Sequence, residues 1–224
     1  MNVLGFDTST NATGVCVLRA DGEAFEFAPP VERLGAPPGH ARELMPTVDR
    51  LMREAGLGFA DLDALAVGIG PGGFTGLRIG IATAHGLAQS AGIPLRPVLS
   101  LHALDAGIRG VTPLHPGDAF PLIDARRNEV YGLDAAREPF VGSIDDAIAK
   151  APPGALAAGD GSIRFRESLE SAGIRVAPGD STMHVVRALY ICRLAATVQP
   201  VPPESVVPCY LRAPDAKPPS RSAG

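Results

Sequence analysis

The sequence predicts an α/β protein built from two duplicated lobes, and three observations predict it. The first 30 residues carry three short strand patterns separated by tight turns, an antiparallel meander. Helix and strand patterns then alternate, so the first hundred residues read βββαβα with one more strand. After a loop-like stretch at 110–117 the pattern restarts with strands and again finishes in helices. The 224 residues accordingly divide into an N-terminal lobe, 1–103, a smaller C-terminal lobe, 104–212, with a cleft between them, and a flexible tail, 213–224.

The elements follow in order. Residues 2–7 (NVLGFD) form a buried-strand pattern that ends in a polar turn of Thr8, Ser9, Thr10 and Asn11. Residues 14–19 form a second strand, Asp21-Gly22 a turn, and 23–27 a third strand by alternation. A helix runs over 40–55 with Leu44, Val48, Leu51, Met52 and Ala55 on one face, and Pro46 implies a kink or a late start. Residues 62–69 read as a buried strand, 77–91 as a Gly- and Ala-rich helix, 94–99 as a strand and 101–108 as a short helix. In the second half, strands are expected at 120–124, 129–133 and 155–158. Helices are expected at 143–149 with Ser143 as cap, at 164–172, and as one long element over 180–198 with Ser181 or Thr182 as cap. The proline-rich last 25 residues suggest an extended strap.

Composition narrows the function. Lys and Arg number 20 against 24 Asp and Glu, a formal charge of -4 without basic blocks, which argues against a chain that grips nucleic acid alone. With 46% hydrophobic residues, eight Phe, three Tyr and no Trp, the core must be mainly aliphatic. Cys16, Cys192 and Cys209 are far apart and lack CxxC spacing, so they read as buried thiols of a reducing compartment rather than as a disulfide framework or a zinc site. The longest uncharged stretch, 79–95, is broken by glycines, His85, Gln89 and Pro94, so no membrane span is expected and the cytoplasm is the default location.

The most informative segment is the glycine-rich loop and helix start over 68–80. Gly68-x-Gly70-x-x-Gly73 matches the dinucleotide pattern, but Pro71 lies inside it, no Asp or Glu follows before residue 105, and the preceding strands are antiparallel. Gly76 is followed by Leu77 and Arg78, not by the Lys-Ser/Thr of a P-loop. The other reading is structural: Gly76, Gly80 and Ala84, at i, i+4 and i+8, let another helix of this chain or of a partner approach closely. Asp7, Thr8 and Ser9 form a hairpin loop of the type that cradles phosphate in the actin, sugar kinase and Hsp70 (ASKHA) superfamily, although the same residues also make an ordinary Asx turn. His40, His85, His102, His115 and His184 form no HxxxH or HExxH pair, and no Gly-x-Ser-x-Gly elbow occurs, so neither a metal site nor a hydrolytic nucleophile is expected.

Six blocks in order resemble the TsaB (YeaZ) family: NVLGFDTST, HARELMPTVDRLM (40–52), VGIGPGGFTGLRIGIATAHGLA (67–88), IDARRNEVY (123–131), GDG (159–161) and PCYLR (208–212). The resemblance implies an ASKHA fold and a part in making N6-threonylcarbamoyladenosine at position 37 of tRNAs that read codons beginning with A. It implies a TsaD-like catalytic partner that transfers the threonylcarbamoyl group from its adenylate, and a TsaE-like ATPase, with tRNA reached through the complex. This chain would be the non-catalytic relative of TsaD. The catalytic family carries a His-x-x-x-His metal pair after a Pro-Val strand end, whereas here Pro97-Val98 leads to Ser100 and Leu104 in those two places. The alternative is a superfamily enzyme in its own right, a nucleotide-dependent carbamoyl transferase or a glycoprotease-like peptidase.

The resemblance also implies a pairing surface on the first two helices, for which Leu44, Val48, Leu51, Gly76, Gly80 and Ala84 are the candidates, serving a TsaD-like partner or a homodimer. Arg at Gly80 or Leu51 would then abolish pairing in a folded chain. Asp7, Thr8, Ser9, Gly70, Gly72 and Gly73 are the candidates for a nucleotide loop, which leaves ATP or ADP binding open. No catalytic residue and no resident cofactor is assigned. Arg126, Arg127 and Arg212 are either tRNA contacts or solvated surface.

Overall fold

The computed structural model describes residues 1–112 and 118–212; His115 and the expected tail at 213–224 lie outside the described residues. Among the described residues ten strands form two five-stranded sheets. In the first, β1 (Val3–Asp7), β2 (Gly14–Leu18) and β3 (Ala24–Phe27) are the antiparallel meander, and β4 (Ala64–Gly68) and β5 (Leu95–Val98) join parallel to β1, giving the order β3-β2-β1-β4-β5. In the second, β6 (Ala119–Arg126), β7 (Glu129–Leu133) and β8 (Pro139–Ser143) repeat the meander. β9 (Leu156–Ala158) and β10 (Arg175–Val176) join in parallel, giving β8-β7-β6-β9-β10. The two sheets have the same topology position for position, the duplication expected from the sequence and the architecture of the ASKHA fold.

Among the described residues seven α-helices complete the layers: α1 (His40–Glu54), α2 (Phe74–Ala91), α3 (Ser100–Val111), α4 (Ile144–Lys150), α5 (Asp160–Arg164), α6 (Arg166–Ser171) and α7 (Ala188–Ala195). β1 shows how the layers are specified, because side chains alternate across a strand. Leu4 and Phe6 join Leu44, Val48, Leu51, Ile81 and Ala84 in an outer core under α1 and α2. Val3, on the other face, joins Leu101, Leu104, Ile191 and Cys192 in a central core shared by both sheets, with α3 and α7 between them. Gly5 lies on that face where a Cβ would sit 2.6 Å from Cys192 Sγ, so its lack of a side chain lets α7 lie on the strand. α4 and α6 cover the far face of the second sheet, where Ala147 of α4 and Leu169 of α6 join Phe120, Leu122 and Val130.

The structure corrects several expectations. Residues 180–198 are not one helix: a short 3-10 turn (Thr182–His184), capped by Ser181, is followed by extended residues and then α7. The reason is burial on two sides. Val185 packs with Ala12 and Leu34 while Val186 enters the central core, an alternation that extended backbone allows and a helix does not. The helix expected at 164–172 is α6, shorter at 166–171, and a separate, unexpected short helix, α5, precedes it from Asp160. Gly159, with φ +108, is where a Cβ would collide with Leu122 O, and it sets α5 directly on β6. The edge strands β8 and β10 were not expected. β8 opens on a proline and contains a glycine, which an edge strand tolerates. α1 starts at His40 with Pro46 inside it, so the late start does not occur.

α7 is tied to the first sheet at both ends. The Glu26 carboxylate on β3 pairs with Arg187 and accepts the Leu189 N–H at 3.0 Å, at the positive end of the helix dipole. Arg96 on β5 donates to Ala195 O and Val198 O at the other end. The strap after it pairs Val201 with Leu95, buries Val206, and gives the Cys209 N–H to Ile69 O at 2.8 Å. Among the described residues no helix is long and apolar enough to cross a membrane.

Candidate functional site

The first hairpin loop and the glycine loop come together where β1, β4 and β5 end. Asp7 is buried, and its Oδ1 accepts the Ser9 N–H (2.9 Å) and the Ser9 hydroxyl (2.6 Å). Its Oδ2 accepts the Ser100 hydroxyl at 2.5 Å, and Ser100 Oγ in turn accepts the Gly70 N–H at 3.1 Å. Burial raises the Asp7 carboxyl above its ordinary value, opposed by these hydrogen bonds. Thr8 donates its hydroxyl to Gly76 O at 2.8 Å, and the Gly73 N–H goes to Ser9 O at 2.7 Å. Gly70 has φ +94, and a Cβ at Gly72 would collide with Ser9 O. Sequence reasoning therefore selected residues that do meet, but their groups are already engaged in the interior: Asp7 by Ser9 and Ser100, Thr8 by Gly76 O, and the Gly70 N–H by Ser100. Only Ser9, Gly72 and Gly73 reach the wall of a cavity.

The candidate pairing residues are placed otherwise than expected. Leu44, Val48 and Leu51 are 2%, 0% and 1% exposed and face the first sheet of their own chain. Gly76 and Gly80 accommodate Thr8, and Ala84 is fully buried. The apolar helix face is thus spent on the chain's own core, because α1 and α2 cover a sheet that needs covering. The solvent side of these helices carries Met45 and Asp49 on α1 and Phe74, Arg78, Ala82 and Gly86 on α2, and a Cβ at Gly86 would meet nothing.

Between the sheets lies a cleft of about 500 Å³, walled by the Ser9–Asn11 turn, Gly72–Phe74, the β6–β7 turn, Asp160, Tyr210 and Arg212. Asp124 and Asp160 meet on its second-sheet wall, where the Asp124 N–H donates to Asp160 Oδ1 at 2.9 Å. Burial, with the Asp124 charge beside it, holds the Asp160 carboxyl up to about 6. Asp124 is paired through both oxygens with Arg164 at 3.0 Å and with Arg126 at 3.2 Å. Arg126 also donates to Asn11 Oδ1 at 3.1 Å, a bond from the second lobe to the first. Arg212 donates to Ala125 O at 3.1 Å and pairs with Glu129, and Arg127 lines the same space. Asp124, Asp160, Phe74 and Tyr210 escaped the sequence reading as site residues. The signal was that all four lie within the quoted blocks: Asp124 in IDARRNEVY, Asp160 in GDG, Phe74 in the 67–88 segment and Tyr210 in PCYLR.

The remaining candidates stay apart. His40 accepts or donates at Thr13 Oγ1 (2.9 Å), His85 meets Val206 O (3.1 Å), and His184 is buried among Gly159, Ala177 and Pro178 backbone groups. Burial lowers both His40 and His184 below the ordinary value, against the opposing pull of their hydrogen bonds and nearby carboxylates. Among the described residues no three His, Cys, Asp or Glu groups converge to hold a metal. At the two places where the resemblance puts metal ligands, the Ser100 hydroxyl is engaged by Asp7 and Gly70, and Leu104 packs in the central core. A transition metal does not fit those residues. Cys16 and Cys192 are buried as expected, whereas Cys209 on the strap is partly exposed.

Comparison with known proteins gives the following. A family model described as TsaD, tRNA N6-adenosine threonylcarbamoyltransferase, matches residues 35–152. The chain is 37% identical over 139 residues to the tRNA threonylcarbamoyladenosine biosynthesis protein TsaB of Haemophilus influenzae, a match covering 62% of this chain and 55% of that protein. It is 36% identical to the uncharacterized protein ML0378 of Mycobacterium leprae over 96% of this chain and 56% of that one. The chain thus spans a little over half the length of these relatives. The solved structure of YeaZ from Pseudomonas aeruginosa superposes with a TM-score of 0.73 at 28% identity, covering 93% of this chain and 100% of the other.

Proposed function

The chain belongs to the family that the TsaD model describes and, within it, to the TsaB (YeaZ) branch, and from that premise we propose that it is the non-catalytic partner of a TsaD-like subunit. In this reading the pair, with a TsaE-like ATPase, transfers the threonylcarbamoyl group from its adenylate to N6 of A37 in tRNAs reading ANN codons, in the cytoplasm. The observation that carries it is the site of Ser100 and Leu104. Where a metal would polarise the transferred carbonyl, this chain has a hydroxyl already bonded to Asp7 and an aliphatic side chain in the core. The chain's contribution is therefore binding: it presents a surface, and the reacting atoms meet the partner's groups.

The surface proposed for pairing is the solvent side of α1 and α2, centred on Met45, Ala82 and Gly86, where small residues on α2 let another helix lie close. In the absence of the partner the same side serves a homodimer. ATP or ADP at the Asp7 hairpin finds little support, because the Gly70 and Gly73 N–H groups are taken by Ser100 Oγ and Ser9 O.

Reconstitution tests the reading. The chain is co-purified with a TsaD-like subunit, and modification of tRNA is measured with TsaE-like protein and threonylcarbamoyl-adenylate, with and without this chain. Modification that requires the chain, together with an isolated chain inert toward tRNA, peptides and ATP, is the expected result. Transfer, peptidase or ATPase activity of the chain alone would instead favour the superfamily-enzyme reading.

A further inference from the structure

Pro200, Pro202, Pro203 and Pro208 keep the strap out of an α-helix, so its course is set by what it meets. Beyond Pro203 it meets α2. Val206 is buried with Ile81, Ala84 and Ala88 in the outer core, and its carbonyl lies 3.1 Å from His85 Nε2. Four residues on, the Tyr210 hydroxyl accepts the Arg78 Nε–H at 3.4 Å, and its ring stacks on Phe74 with centroids 5.6 Å apart and planes 27° from parallel. Residues 206–210 therefore run antiparallel to α2, from His85 back to Phe74, beside the solvent side proposed for pairing.

Exposed apolar surface gathers at this place. Of the large apolar side chains exposed among the described residues, Met45, Phe74, Val207 and Tyr210 belong to α1, α2 and the strap, while Met1, Val111 and Ile163 come from three separate segments. Phe74, Val207 and Tyr210 are 48%, 65% and 44% exposed, although Val206 next to them is buried. The Arg78 guanidinium lies 3.9 Å from the Phe74 centroid, and among the described residues no carboxylate pairs with it. Ring and hydroxyl hold this cation in place without neutralising it, which makes it complementary to a carboxylate from outside the chain.

Building on the pairing reading above, we propose that the strap is the third element of the pairing surface. Phe74, Arg78, Val207 and Tyr210 anchor the TsaD-like subunit, which brings an apolar group against the rings and a carboxylate to Arg78. Ala82 and Gly86 let a helix approach but offer it little area, whereas aromatic rings and arginine are the groups that dominate interface energies. A different subunit is free to supply the carboxylate, while a second copy brings its own Arg78 to the same isologous surface.

Cys209 supplies a readout, because it is partly exposed on the strap while Cys16 and Cys192 are buried. Its alkylation by N-ethylmaleimide is followed by mass spectrometry on the full chain, alone and with saturating TsaD-like subunit. The dissociation constant of the pair is measured for the parent and for Tyr210→Ala, Tyr210→Phe, Val207→Asp and Arg78→Glu, with unfolding midpoints to verify that each is folded. Loss of Cys209 alkylation in the pair is expected, with pairing weakened about tenfold or more in Tyr210→Ala, Val207→Asp and Arg78→Glu. Tyr210→Phe keeps the ring and retains the parent affinity. Unchanged alkylation of Cys209 in the pair, or parent affinity in both Tyr210→Ala and Val207→Asp, overturns the proposal. So does alkylation that slows with the chain's own concentration and not on adding the partner, which identifies a second copy as the occupant. Met45→Arg separates the two readings: a pair broken by it but indifferent to the strap variants keeps the α1–α2 interface and loses the strap. A parent chain that binds no TsaD-like subunit overturns both.

Discussion

The Asp7–Ser100 pair shows how much one hydroxyl does in this fold. Ser100 Oγ donates to the buried carboxylate and accepts the Gly70 N–H, joining the hairpin after β1, the glycine loop and the start of α3. Ser100→Ala leaves Asp7 Oδ2 and the Gly70 N–H without that partner inside the protein. The expected outcome is a loss of about 1–3 kcal/mol in urea unfolding, and Asp7→Asn in the same background should cost less than it does alone, a coupling that a double-mutant cycle measures. The glycines separate just as sharply. Gly72→Ala drives a methyl group into Ser9 and should destabilise by about 1–3 kcal/mol, whereas Gly86→Ala, in open space within a helix, should stabilise by about 0.5–1 kcal/mol in the same assay. The sequence places Gly72 in a glycine-rich loop and Gly86 in a helix, but does not show what a methyl group would meet at either. Only the neighbour brought by the fold does. Asp7, Ser9 and the loop glycines were legible as a cluster from their motifs, but that their groups are already engaged was not, because that depends on a hydroxyl 93 residues from Asp7.

At the scale of elements, α1 and α2 were read with their apolar faces correctly grouped and their purpose misassigned. Periodicity shows that Leu44, Val48 and Leu51 share a face, but it does not say whether the face meets a sheet of the same chain or another protein. The structure assigns it to the first sheet of the same chain, where α1 lies over β2 and β3 and all three side chains are buried. Leu51→Ala should therefore cost about 2–5 kcal/mol in unfolding and weaken pairing only through the fold. Arg at Gly80 or Leu51 is no longer a clean test of pairing, since either would disrupt the core. Met45→Arg and Ala82→Arg, on the solvent side, should leave the unfolding midpoint within a degree or two while abolishing co-purification with a TsaD-like subunit. Retained co-purification in both would place the interface elsewhere. The unexpected pieces are also elements: β8 and β10 are short edge strands whose sequences carry little strand signal, and they exist because a neighbour supplies hydrogen bonds on one side.

For the whole molecule, the layered arrangement sets the pH response. Asp160 sits in the cleft with its folded value raised to about 6, so the native state binds its proton more tightly than the unfolded chain does. That contribution favours the folded state at low pH and is lost as pH rises from about 4 to 6. Asp7 acts in the same direction. His40 and His184, lowered by burial, act in the opposite one, their contribution being present above about pH 6.5 and lost below it. Asp160→Asn should therefore leave stability unchanged below pH 4 and raise it by about 1–2 kcal/mol above pH 6, the partly open position reducing the full value of the shift. A variant no more stable than the parent at pH 7 would mean that the carboxyl is ionised at little cost.

The sequence by itself determined the α/β class, the meander, most helices, the duplication and the family, since each rests on local pattern or on contiguous motifs such as GPGGFTGLRIG. The tertiary structure alone decided that 180–198 breaks at Val185 and Val186, that the small-residue stripe of α2 faces inward, and that Phe74, Arg126, Asp160 and Tyr210 border one cleft. The physical reason is range. A strand or helix is specified by neighbours a few positions away, whereas burial direction and a shared cavity depend on residues from distant segments that meet only once two sheets have closed over a common core.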